Sequence, residues 1–327
     1  MIWVYLKNSE GGFNIDNSEA VYEAAEYDVW VDPVNGNDLW SGHEESPLKS
    51  LERALGLIYP TEENPLTIHL KEGTYSPSNG NKFPINIYDY VSIQGENQET
   101  VILDAMQTSR VLTFKNSVGN TISNLTITGG RAEIREDGTF PDYYGGGIFL
   151  WRSSPVLDHI TVTGCSADAN GGGIHMSYST PIISNSIISN NSSNPSTLSD
   201  GGGIRSDYAV PTLTNVLISE NTANGGPGIS LVASHSINGE LIPGQLYKHY
   251  NWDVPEYPAV LTDVKIINNN GVDNWGGAGL EIANHCLVEM IGGEIAYNSS
   301  EYGYGGIFNR NASIRSSYLG LSGVSIH

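Results

Sequence analysis

The chain has 327 residues, a length at which repeat folds and large all-β units often stay undivided. Its 36 acidic and 15 basic residues leave a formal charge of -21, which repels phosphate backbones and anionic membranes and argues against nucleic acid as a partner. An acidic polysaccharide would need a local basic cleft or bridging Ca²⁺.

The opening stretch "MIWVYLKNSE" has neither the basic lead nor the apolar run of a signal peptide or a membrane span. Abundant glycine (38), asparagine-rich turns and little lysine predict an extracellular or cell-surface protein on composition alone. Cys165 and Cys286 are too few for a disulfide framework, and the repeat register sets them several coils apart, so no bridge is expected.

"DVWVDPVNGNDLWSGHEESPLKSLERALGLIYP" reads as a strand, an Asx-rich turn and a helix. The helix is predicted to start with Ser46 as N-cap and Pro47 at its first position, with Leu48, Leu51, Leu55 and Ile58 on one face. A helix there would cover the open end of a solenoid. In the turn, Asp32, Asn35, Asn37 and Asp38 offer oxygens that Ca²⁺ would accept, although the spacing is not that of an EF-hand and Asx-turn chemistry explains it equally well.

"TIHLKEGTY" and "VSIQGENQETVILDA" follow as the first coils, and then the chain repeats itself. Glycine runs close on Ile148, Ile174, Ile204, Ile229, Leu280 and Ile307, at steps of about 25 residues with one step near double. A second column runs through Asn124, His159, Asn185, Asn215, Asp263, Gly293 and Gly323, each entry leading into a short β-rich run. Helical repeats need a helix and propeller blades need longer units, so a right-handed parallel β-helix remains. Gly171 to Gly173 turn a corner, Ile174 and Met176 point inward, Pro181 starts the next strand, and Asn185 sits at a bend able to bond like residues above and below. The organisation is therefore residues 1–60 as an N-terminal strand and capping helix, and 61–327 as coils. Insertions fall at 131–144 and 234–259, and "GVSIH" leaves the C-terminal end uncapped.

On these residues the chain resembles the pectate-lyase-like right-handed β-helix superfamily. "VWVDPVNGNDLWSGHEESPLKSLERAL" is similar to the opening of many secreted β-helix proteins, and the GGGI…N repeats resemble those of polymorphic outer-membrane and adhesin-type surface proteins. The match covers residues 28 to 327 and implies the fold. It does not choose among the lyases, hydrolases, epimerases and non-catalytic surface proteins that share it.

Strand alternation sends the residue after each inward Ile outward. Stacking then gathers His175, Arg205, Asp207, Tyr178 and Tyr208 on one outer face, with Trp151 and Arg152 beside them. Rings and charges on one strip suit a sugar groove. In a lyase, Arg205 would neutralise a uronate while His175 or Tyr178 takes the proton, with Tyr208 in the same strip; in a hydrolase, Asp207 and Glu281 would be the carboxylate pair. The plainer reading makes these ordinary surface ladder pairs. The second insertion carries Tyr247, Tyr250, Trp252 and Tyr257, which predict an ordered flap, its rings packed on the solenoid or lining a groove. His159 and the asparagine column read as structural.

Three functions remain open. The first is a carbohydrate-binding or adhesive surface β-helix without catalysis, and the second a polysaccharide lyase or, less well supported, a hydrolase. The third is a structural unit that self-associates through its open C-terminal coil. The first fits best, because no obligatory catalytic motif is present.

Overall fold

The computed structural model describes residues 24–134, 143–194, 199–232, 236–237, 240–241, 258–272, 276–283, 286–310 and 318–327. Parallel strands stack into three sheets around one apolar interior, a parallel β-helix. The long sheet runs from Val29–Val31 through Leu66–Leu70, Val91–Gly95, Thr121–Thr128, Val156–Thr163, Ile182–Ser189 and Thr212–Ser219 to Ala259–Thr262, Leu287–Ile291 and Tyr318–Ser322. The second sheet stacks Ile85–Ile87, Leu112–Lys115, Ile148–Trp151, Ile174–Ser177, Ile204–Asp207, Ile229–Val232, Leu280–Ala283 and Ile307–Arg310. Two-residue strands such as Ser166–Ala167 and Ser192–Ser193 make the third.

The register pairs Ile148 with Ile174, Ile174 with Ile204, Ile204 with Ile229, Ile229 with Leu280 and Leu280 with Ile307, which is the column predicted from the glycine runs. The second predicted column is a line of left-handed backbone: φ is +56° at Asn124, +51° at His159, +49° at Asn185, +54° at Asn215, +52° at Asp263, +83° at Gly293 and +65° at Gly323. One left-handed residue breaks the in–out alternation of the strand. In Val156–Thr163, Leu157 and Ile160 are both buried with two outward residues between them, so the strand wraps the core instead of running past it. The amide of Asn215 donates to Asn185 Oδ1 at 2.9 Å, as predicted for like residues, but Asn185 donates in turn to Asp158 Oδ1 and not to His159.

Each glycine of the triplet at 171–173 meets a different neighbour. A Cβ on Gly171, at φ +73°, would stand 2.7 Å from the Cβ of His175; one on Gly172 would enter the backbone of Ser192; one on Gly173 would stand 2.7 Å from the carbonyl of Gly203. The triplet is therefore a packing requirement on three sides of one corner.

A further ladder was not read from the sequence. Asn191, Asn221, Asn269 and Asn298 stack from coil to coil, and the side-chain oxygens of the last three each accept both the backbone N–H and the amide of the asparagine in the preceding coil at 2.9–3.1 Å. Cys165 holds the same place one coil earlier, its N–H donating to Asn191 Oδ1. Both cysteines are free and buried, and burial pushes each thiol up to about 12.

The helix begins later than predicted. It spans Leu51–Leu57 with Ser50 as N-cap, its side chain accepting from Arg53 N–H. Ser46 instead closes a turn on His43, Leu48 exchanges backbone bonds with Trp30 and Asp32, and Asp38 takes the N–H groups of Lys49 and Ser50. Leu51, Ala54 and Leu57 form the buried face, and Leu48 is buried from the extended segment.

Candidate functional site

The outer face of the second sheet carries two columns of side chains, and burial separates them. The column one residue after the inward Ile is covered: Phe149 and Ser230 are fully buried, and His175, Glu281 and Arg205 are 1%, 2% and 8% exposed. The prediction that these residues form an exposed strip is therefore corrected. The reason lies in the corners, since each glycine turn folds back over the strand it introduces. The turns also stack on one another, with Gly145 N–H bonded to Asn170, Gly171 to Asp200 and Gly201 to Gly225. They form a wall outside the sheet, and Tyr144 closes it over His175 with ring centroids 4.7 Å apart.

Under this wall lies an ionic network. The Arg205 guanidinium donates to Asp200 Oδ2 at 2.6 Å, to Asp207 Oδ1 at 2.8 and 2.9 Å and to Ser230 Oγ at 3.0 Å, and Ser230 Oγ is 3.3 Å from Glu281 Oε2. Burial alone would favour loss of its proton, but the Asp207 and Asp200 carboxylates hold the guanidinium more firmly charged than usual. His175 Nε2 lies 2.9 Å from Ser177 Oγ and 3.8 Å from Asp207 Oδ2, and its ring stacks on Phe149 at 5.6 Å. Desolvation lowers its pKa to about 4, against the pull of Asp207, so the ring is neutral near pH 7. Arg110 completes the group, lying 4.7 Å over the Phe149 ring and donating to the Tyr144 carbonyl.

This placement removes the expected chemistry from these residues. A general base must reach the proton it takes, and a carboxylate pair must flank the bond it cleaves. His175 lies beneath Tyr144 and the Gly171 turn, and Asp207 and Glu281 both serve the surroundings of Arg205 instead of facing each other across a cleft. Tyr144, Arg110 and Asp200 were not singled out from the sequence. Tyr144 and Asp200 carry one signal, position, since each stands immediately before a glycine triplet, and Arg110 carries none.

The column at the C-terminal ends of the same strands is different. Trp151, Arg152, Tyr178, Asp207 and Tyr208 are half-buried and stand together. The rings of Tyr178 and Tyr208 stack at 5.2 Å and 12°, while Trp151 meets Tyr178 edge-on at 5.2 Å and 79°. The Arg152 guanidinium lies 5.7 Å from the Trp151 ring and 6.0 Å from that of Tyr178. Arg152, Tyr178 and Tyr208 all have left-handed backbone, at φ +52°, +52° and +55°. Bulky side chains avoid that region, so three in successive coils are a property of the site. Tyr247, Tyr250 and Trp252 lie outside the described residues.

The oxygens proposed for Ca²⁺ are engaged elsewhere. Asp32 Oδ1 accepts from the N–H groups of Val34 and Asn35, and Asn35 donates to Asp32 Oδ2. Burial raises the Asp32 pKa, but those N–H groups outweigh it and hold the carboxyl below its ordinary value. Asn37 Oδ1 accepts from Leu39 N–H, and Asp38 accepts from Lys49, Ser50 and the Ser50 hydroxyl. The four residues build an Asx turn and tie it to the helix start, and they do not converge on a cation. Among the described residues no group of three or more His, Cys, Asp or Glu side chains stands ready to hold a metal ion.

The molecule is thus a parallel β-helix with an aromatic edge on its second sheet. Residues 34–240 match the model of the family described as "Protein of unknown function (DUF1565)", and the chain belongs to that family. No curated protein matches it. Among solved structures it is similar to pectin methylesterase PemA from Erwinia chrysanthemi, with 11% identity over 90% of this chain and 93% of that one and a TM-score of 0.40. It is similar to ORF18 of Geobacillus virus E2, with 12% identity over 86% and 60% of the two chains and a TM-score of 0.46. A rhamnogalacturonan lyase aligns at 12% identity over 91% and 87%, with a TM-score of 0.38. Among the described residues no helix is long and apolar enough to cross a membrane.

Proposed function

We propose that the strip of Trp151, Arg152, Tyr178, Asp207 and Tyr208 binds carbohydrate, and that the protein acts outside the cell as a glycan-binding or adhesive β-helix without catalysis. The observation that carries this reading is the pair Tyr178 and Tyr208, held in left-handed backbone where an asparagine or glycine would be cheaper, with rings stacked beside Trp151. Aromatic surface beside Arg152 and Asp207 supplies an apolar face for sugar C–H groups and charged hydrogen-bonding groups for hydroxyls. The overall charge of -21 favours a neutral glycan over a uronate polymer.

Burial of His175, Arg205 and Glu281 argues against elimination or hydrolysis through those groups. The test is a panel of immobilised neutral and uronate-containing polysaccharides, with and without Ca²⁺, run alongside assays for unsaturated and for reducing ends. Retention on a neutral glycan that is lost in Trp151→Ala, with no product formed, is the expected result. Unsaturated ends that vanish in His175→Ala would replace this reading with a lyase.

A further inference from the structure

The long sheet carries a hollow of its own at its N-terminal coils. The register sets Trp30 beside His69, His69 beside Gln94 and Gln94 beside Ser123. All are outward positions, since the alternating Val29, Val31, Ile68, Leu70, Val91 and Ile93 are buried. Between them lies a space of about 220 Å³ lined by Trp30, His69, Leu70, Gln94, Gly95, Glu96 and Asn124.

Its parts are held in place. The Trp30 and His69 rings stack at 4.6 Å and 22°, and His69 Nε2 faces Asp28 Oδ2 at 3.4 Å. Glu96 Oε2 accepts the N–H of Glu72 at 3.0 Å, which anchors the carboxylate at the rim. Asn124 stands at the bend of its strand with φ +56°, and a Cβ on Gly95 would run into the Asn124 carbonyl, so adjacent coils meet closely under the hollow.

The lining combines an indole, an imidazole, two amides and a carboxylate, with no lysine or arginine. Each amide offers a donor and an acceptor, the pattern that neighbouring hydroxyls satisfy, and the rings offer an apolar wall. The absence of a cation in the lining disfavours uronates, phosphates and sulfates. A quaternary ammonium ion prefers enclosure by several aromatic faces, whereas here one indole is already stacked on a histidine. The volume falls below the roughly 300–1,000 Å³ of a drug-sized site, which fits one ring and not an oligomer.

We propose that this hollow is a second binding site, specific for a single neutral pyranose such as the terminal or branch residue of a glycan. It is built from different residues on a different sheet from the aromatic strip, so its occupancy does not depend on the reading of that strip.

Saturation-transfer NMR on the full chain, with the methyl glycosides of glucose, galactose and mannose and with choline as probes, tests it. At least one glycoside is expected to bind at about 1 mM, with affinity falling at least about tenfold in Trp30→Ala and in Gln94→Ala. Gln94 is exposed, so Gln94→Ala keeps the test valid if Trp30→Ala fails to fold. The proposal is overturned if no glycoside binds, if binding survives Gln94→Ala, or if choline binds and the glycosides do not. Binding lost in Trp151→Ala but not in Gln94→Ala would assign the sugar to the aromatic strip and likewise overturn it.

Discussion

Two of the columns of left-handed residues that climb this solenoid are filled in opposite ways. The bend of the long sheet uses Asn124, Asn185, Asn215, Asp263 and two glycines, with His159 as the one larger member. The end of the second-sheet strands uses Asn116, then Arg152, Tyr178 and Tyr208. Left-handed backbone costs an ordinary residue about 1–2 kcal/mol and asparagine or glycine less. The first column therefore follows backbone preference and needs no other explanation. The second runs against it over three coils, so its side chains are retained for what they contact. The covered ionic network lies three residues upstream on the same strands and gives a third case, in which His175, Arg205 and Glu281 are buried and balanced against one another.

The largest effect that would break this contrast comes from the covered network. Replacing Arg205 with Met leaves the buried Glu281 and the half-buried Asp200 and Asp207 beside no guanidinium, and about 3 kcal/mol of unfolding free energy is expected to be lost. Urea unfolding at pH 7 measures it. A loss under about 1 kcal/mol would mean that water reaches these carboxylates and that the glycine wall is not closed.

The pH dependence is the next effect. His175 is neutral in the fold with a pKa of about 4, while in the unfolded chain it titrates near its ordinary 6.5. Between these values the unfolded chain binds the extra proton, so stability is full above pH 6.5 and falls as the pH drops toward 4. The groups around the ring pull in both directions: Asp207 favours its charge, Arg205 and Arg110 oppose it, and Tyr144 shields it from water. The total loss from this group is of order 3 kcal/mol. The slope across that window should flatten in His175→Gln, and an unchanged slope in the variant would assign the dependence to other groups.

The smallest effect on stability is the most telling for function. In Tyr178→Asn, relief of the left-handed backbone offsets the lost stack on Tyr208, so stability should change by no more than about 1 kcal/mol. Retention on a glycan that holds the wild type should fall at least about tenfold. Several kcal/mol of destabilisation with retention intact would make the tyrosine pair a structural stack, and the contrast between the two columns would disappear.

Much of the fold could be read from the residues. The glycine-closing column and the bend column were both present as spacing, because every coil repeats the same stacking problem and solves it with the same residue types. The asparagine ladder was readable in principle, since Asn191, Asn221 and Asn269 recur at a fixed offset after Asn185, Asn215 and Asp263, but adjacent asparagines in the bend column masked it. The helix starts later than the local signal of Ser46 and Pro47 suggests, because Ser46 closes a turn on His43 and long-range pairing ties Leu48 to Trp30 and Asp32.

The site divides along the same line. Alternation along a strand determined by itself that His175, Arg205, Glu281, Trp151 and Asp207 lie outside the sheet, because successive side chains point to opposite faces. Only the tertiary structure decided what lies on top of them. Whether an outward residue meets solvent depends on the path of the preceding turn, and here each turn folds back over His175 or Arg205 and ends before Tyr178 and Tyr208. That path is set by close contacts between glycine backbones of neighbouring coils, which the periodicity of one strand does not encode.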